Sequence, residues 1–256
     1  MAFAILQKEL VMPDVEQLKR AFKVSPYLRD IDAQNAASDA HGILLRGLDD
    51  EQADALFAAL QAEGVAVELV KETTLPSLHP AKVAKRITFQ RGFFIAYDAM
   101  DNYTEVPWTE ITFLAAGYVR TGELKRHRTA KEEAQLRAVT AQPTDDHHVL
   151  KVSDQDHYHM VLEIFLRDST TRYSVMADEF LFEDHEGSNN WDLSMKFVNL
   201  VRQFAAHAPD AGLNRGALKA TGEPPELFPY PSRPAFNEEL VWMLWKIARL
   251  HMGSGT

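Results

Sequence analysis

The chain has 256 residues, 46 % hydrophobic and 25 % charged, enough for one large or two ordinary domains and too apolar for wholesale disorder. A formal charge of −10 argues against general nucleic-acid binding and nonspecific adhesion to anionic membranes. With no cysteine, disulfides, thiolate nucleophiles, Cys-ligated zinc and iron–sulfur clusters are excluded, and a reducing, cytoplasmic location is expected.

The first ten residues lack the n-region and cleavage site of a signal peptide. No apolar run approaches roughly 18 residues, so no integral membrane association is expected. Gly253, Ser254, Gly255 and Thr256 read as a flexible tail.

Residues 3–10 read as a strand. Pro13 suits a first helical turn, with Val15, Leu18 and Phe22 recurring on one face until Ser25-Pro26. Alternation around Ile31 and Ala33 predicts a strand over 28–35, and Gly42 opens another at Ile43, Leu44 and Leu45. Asp49 and Gln52 form a capping-box pattern before the apolar face Ala53, Leu56, Phe57 and Leu60. Gly64 stands at the C-cap, and residues 65–70 follow as a strand. The order βαββαβ over 2–72 resembles the ferredoxin-like split βαβ sandwich. That resemblance implies no particular chemistry, because the fold hosts many functions.

Pro76, Ser77 and Pro80 mark a linker over 73–80. Four strands are then expected, over 83–90, 93–97, 103–108 and 111–119, with Arg91-Gly92 and Asp101-Asn102 as turns. Three more follow an insertion, over 149–152, 158–167 and 172–177. An amphipathic helix over 192–207 carries Leu193, Phe197, Leu200, Val201 and Phe204. The phrase from Val106 through Pro107 and Trp108 to Ile111 is similar to one in PH-like and GRAM-like domains, where it bends one strand into the next. The resemblance implies a seven-stranded PH-like barrel over 83–208, closed by the helix, with Trp108 as a core plug. The fold class expected is therefore α+β, two domains followed by an arm over 209–251.

In that arm, Pro224, Pro225, Pro229, Pro231 and Pro234 surround Phe228 and Tyr230, an extended segment whose rings need a groove. Asn237 then caps a short helix, with Glu238 and Glu239 at its start and Lys246 and Arg249 at its end. Residues 240–245 are apolar on nearly every face, so Trp242 and Trp245 must dock on the chain's own domains or on another subunit or partner. Phe228, Tyr230, Trp242 and Trp245 are the candidate partner-binding residues.

Two clusters could carry chemistry. His147, His148, His157 and His159, interleaved with aspartates, are candidate ligands for a divalent metal. Against this stands a solvated loop, where His and Asp are common. Arg120, Lys125, Arg126 and Arg128 are a candidate anion or phospholipid site, diluted by Glu123, Glu132 and Glu133. No nucleophile elbow, P-loop or dinucleotide turn occurs. The leading expectation is a non-enzymatic recognition or assembly protein that binds a protein partner or itself, without a cofactor. A His/Asp metal sensor or metal-dependent enzyme, and an anionic-ligand binder, are the alternatives.

Overall fold

A computed structural model describes residues 1–38, 41–121, 157–168, 170–182 and 191–253. The fold is mixed α+β, with six α-helices and three sheets among these residues. None of the helices is long and apolar enough to cross a membrane.

The N-terminal module runs β1 (Phe3–Gln7), α1 (Val15–Phe22), α2 (Asp30–Ser38), β2 (Ile43–Leu48), α3 (Asp50–Ala62) and β3 (Val67–Lys71). Asp14 caps α1 by accepting from Glu16 N at 2.7 Å. The capping box of α3 forms as its sequence predicts: Asp49 accepts from Gln52 N at 2.9 Å and Gln52 Oε1 accepts from Asp49 N at 3.3 Å. Gly64 takes the left-handed φ of +78° expected of a C-terminal cap.

The strand expected over 28–35 is instead helix α2. The buried residues there are Ala33 and Ala37, four apart, while Ile31 of the apparent alternation is 54 % exposed. Alanine is the strongest helix former and lets α2 lie close to α1. This changes the topology. Two helices, rather than one, separate β1 from β2, so the chain re-enters antiparallel to β1. The result is a three-stranded sheet in the order β2-β1-β3, with β1 antiparallel to both neighbours, and not a four-stranded βαββαβ sandwich.

After the linker come β4 (Lys82–Val83), β5 (Arg86–Phe89), β6 (Phe93–Tyr97), β7 (Tyr103–Pro107), β8 (Ile111–Thr121), β9 (His157–Leu166), β10 (Arg172–Met176) and helix α4 (Leu193–His207). Strands β5, β6 and β7 form a three-stranded antiparallel meander. A six-stranded sheet contains β8, β9, β10 and β4. Trp108 fills the corner between β7 and β8, 6 % exposed, donating its indole N–H to Gln90 O at 3.0 Å. It packs on Phe89, Phe94 and Phe204, the last from α4.

The two sheets do not join into the expected closed barrel. Strand β8 pairs with β9 on one side, and its other side is taken by β11 (Gly212–Leu213) and β12 (Pro229–Tyr230), both from the C-terminal segment. That edge of β8 is occupied at Phe113–Leu114 and Tyr118–Val119, and β7 pairs only with β6 among the described residues. The strand expected over 149–152 lies outside the described residues.

Between β11 and β12 sits α5 (Arg215–Thr221), and the chain ends in α6 (Arg233–Gly253). Helix α6 begins earlier than Asn237. Ser232 Oγ accepts from Ala235 N at 3.1 Å, and Pro234 falls in the first turn, where its missing N–H does no harm. One side of α6, with Phe236 and Leu240, covers Phe113, Val161 and Phe165 on the six-stranded sheet. The opposite side, with Val241, Trp242 and Trp245, covers Ala4, Leu6 and Ile43 on the three-stranded sheet. A helix apolar on nearly every face is thus satisfied by two sheets of its own chain. Gly42, at φ +97°, lets the start of β2 meet the Trp242 ring; a Cβ there would lie 2.3 Å from Trp242 Cγ.

Candidate functional site

The polar groups with the most constrained surroundings lie where the two modules and the C-terminal segment meet. Asn214 caps α5 by accepting from Ala217 N at 2.8 Å. The same amide pairs with β8 as a strand residue would. Its Oδ1 accepts from Ala116 N at 2.9 Å, and its Nδ2 donates to Ala116 O at 3.0 Å and to the Tyr230 hydroxyl at 2.9 Å. Tyr230, fully buried on β12, donates to Glu239 Oε2 at 3.0 Å.

Glu239, on α6, has no exposed surface. Its carboxylate accepts from Arg215 three times: from the backbone N at 3.0 Å, Nε at 2.9 Å and Nη2 at 2.7 Å. Burial pushes that carboxyl up, but His41 and Arg215 more than reverse it, and the group is held below the usual carboxylate range. Burial, and then the negative charge of Glu239, push the Tyr230 hydroxyl far above its ordinary range, so it stays a proton donor. His41, just before β2, places Nδ1 against Arg215 Nη2 and 3.7 Å from Glu239 Oε2. Its Nε2 is buried without a hydrogen-bond partner among the described residues.

A second buried carboxylate, Glu163, sits on β9 between Val161 and Phe165. It is ion-paired with Arg233 at the start of α6, accepts from Ser174 Oγ at 3.1 Å, and lies 3.4 Å from Arg172 Nη1. Glu163 therefore ties α6 to the central module, and Glu239 ties it to α5, β12 and His41. On the other side, Lys246 and Arg249 reach Glu68 of β3, and Arg46 of β2 reaches Glu238.

Chemically, a carboxylate near an imidazole could serve a general base. Here an arginine stands between them, and the hydroxyl in reach is a tyrosine held protonated. The cluster is a joint, with its donors aimed at other parts of the chain.

The candidate partner-binding rings lie in the interior: Tyr230 is fully buried, Trp242 and Trp245 are buried and Phe228 is half-buried, packed against Tyr230. Of the histidines, His147 and His148 lie outside the described residues, and the backbone of His157 opens β9. His159 Nδ1 pairs with Asp178 at 2.8 Å on the surface. Among the described residues no three His, Asp or Glu side chains converge as a metal site requires. Arg120 is exposed on β8; Lys125, Arg126 and Arg128 lie outside the described residues.

Nothing local in the sequence singles out Asn214, Arg215 or His41, and Glu239 reads there as a helix-dipole residue. Only Glu163 carried a local signal, a carboxylate between two apolar residues on one strand face. Comparison of the chain with known families, curated proteins and solved structures gives no match.

Proposed function

We propose that this chain is a non-enzymatic recognition or assembly protein whose two modules are fixed as one body by the C-terminal segment, and which meets another polypeptide through the turn between α1 and α2. The observation that carries this reading is the exposure of three large apolar side chains within eight residues of that turn. Val24 is 50 %, Tyr27 75 % and Ile31 54 % exposed, in a chain that buries both tryptophans of α6. The two buried carboxylates support it too, because Glu163 and Glu239 are used, with Arg233 and Arg215, to join elements.

The central module supports a PH-like reading through its three-stranded meander, the Pro107-Trp108 corner and the packing of α4 across the core. Such modules serve as binding scaffolds.

The test is a photo-cross-linking residue at position 27, used in cells, together with sedimentation velocity of the purified chain. A discrete adduct or a concentration-dependent oligomer, either one weakened by Ile31→Ser, supports the proposal. A monomer that yields no discrete adduct overturns it.

A further inference from the structure

Beside the C-terminal part of α6, the outer face of the six-stranded sheet leaves a cavity of about 410 Å³. Its walls are apolar, with Phe165 and Leu166 from the sheet and Leu244, Ile247 and Ala248 from the helix. Cavities of this size accept small organic molecules. The charged side chains that line it, Arg167 and Arg172, are both cationic, and no carboxylate lines it among the described residues, in a chain where acids outnumber lysine and arginine by 37 to 27.

The two arginines are not equally committed. Arg172 donates Nε to His79 O at 2.6 Å and shares buried Glu163 with Arg233. Arg167 donates Nη2 to Thr109 O at 2.9 Å and has no ion pair among the described residues. Of the two guanidiniums that line the cavity, Arg172 shares Glu163 with Arg233, and Arg167 keeps its charge without a paired carboxylate among the described residues, beside an apolar chamber. That pairing fits a molecule with an apolar body and one anionic end.

We propose that this cavity binds a small amphipathic carboxylate, its hydrocarbon chain against Phe165, Leu244 and Ile247 and its head on Arg167. The chain displaces water from apolar walls, and the carboxylate gains charge-assisted hydrogen bonds that an alcohol of the same length cannot make. The site is separate from the α1–α2 turn, so its failure leaves the recognition reading untouched.

Isothermal titration of the full chain with decanoate and with decanol tests the proposal. Saturable one-to-one binding of decanoate is expected, with decanol weaker by roughly tenfold or more. Arg167→Gln, at an exposed position, should remove that preference. Ala248→Trp, on the exposed side of α6, should block both ligands while leaving the circular dichroism and melting temperature unchanged. No saturable decanoate binding below its micelle concentration overturns the proposal. So does equal affinity for decanol, or decanoate affinity unaltered by Arg167→Gln.

Discussion

Replacing Glu239 with glutamine tests whether the joint at α6 holds the molecule together. The carboxylate takes three hydrogen bonds from Arg215 and one from Tyr230 with no exposed surface of its own. Glutamine keeps one acceptor oxygen and turns an NH₂ group toward donors. Stranding one partner of a buried ion pair costs about 3–5 kcal/mol. The Arg215 side chain is 28 % exposed and can turn partly to water, so the low end, about 3 kcal/mol, is expected. Urea unfolding followed by both circular dichroism and tryptophan fluorescence measures it, with coincident transitions checking the two-state assumption.

The pH dependence gives a second, independent readout. The folded-state pKa of Glu239 lies below the ordinary 4.5, so its stabilisation is fully present above that value and is lost as pH falls through the folded pKa. The gap between wild type and Glu239→Gln should therefore be constant near neutrality and shrink below about pH 4.5. Arg215→Met with Glu239→Met strands no ion and should be more stable than Glu239→Gln alone. A cost below about 1 kcal/mol for Glu239→Gln, or a gap that does not narrow in acid, would refute the reasoning.

Three further substitutions probe the same junction. Gly42→Ala sets a Cβ 2.3 Å from Trp242 Cγ at a left-handed φ, and should cost about 2–4 kcal/mol in urea unfolding. Trp242→Ala opens a cavity between the two sheets, where the ring is 7 % exposed and donates to Gln7 O at 2.7 Å; a loss of about 3–5 kcal/mol and faster proteolysis in the linker over 73–80 are expected. Asn214→Ala leaves the N–H and C=O of Ala116 unpaired beneath α5, and should cost about 2–4 kcal/mol with earlier amide exchange at Ala116 and Ala217.

Local signals gave reliable structure where the deciding partner lies a few residues away. The capping box at Asp49 and Gln52, the C-cap at Gly64 and the stripe of α4 are all of this kind. The Trp108 corner belongs with them, because a proline that cannot sit mid-ladder marks the end of its strand, and Pro107 ends β7 on the sheet edge. Residues 28–35 misled because alternation around Ile31 and Ala33 competes with the four-residue spacing of Ala33 and Ala37, and alanine carries little weight in a hydrophobic pattern. The barrel misled for another reason. Consecutive strands usually pair, but β7 and β8 do not, because the edge of β8 is taken by residues about a hundred positions later. No window around β8 contains that information.

The C-terminal segment shows most clearly why the candidate site was hard to read. An apolar helix with two tryptophans suits an internal docking place and a partner's surface equally well, and its own residues do not choose. The residues that choose are small or bifunctional and speak only in pairs. Gly42 matters because Trp242 lies over it. Gly117 matters because a Cβ there would come within 2.7 Å of the Tyr230 ring. Asn214 matters because one side chain both caps a helix and completes the edge of β8. The same pairings alter what the linker over 73–80 means. It separates two cores, yet the outer faces of both sheets, Ala4, Leu6 and Ile43 on one and Phe113, Val161 and Phe165 on the other, are covered by the same helix. Releasing α6 would bare both faces at once, and the free energy of each burial falls on a single element. The boundary in the sequence is therefore not a boundary in stability, and the two modules should unfold together.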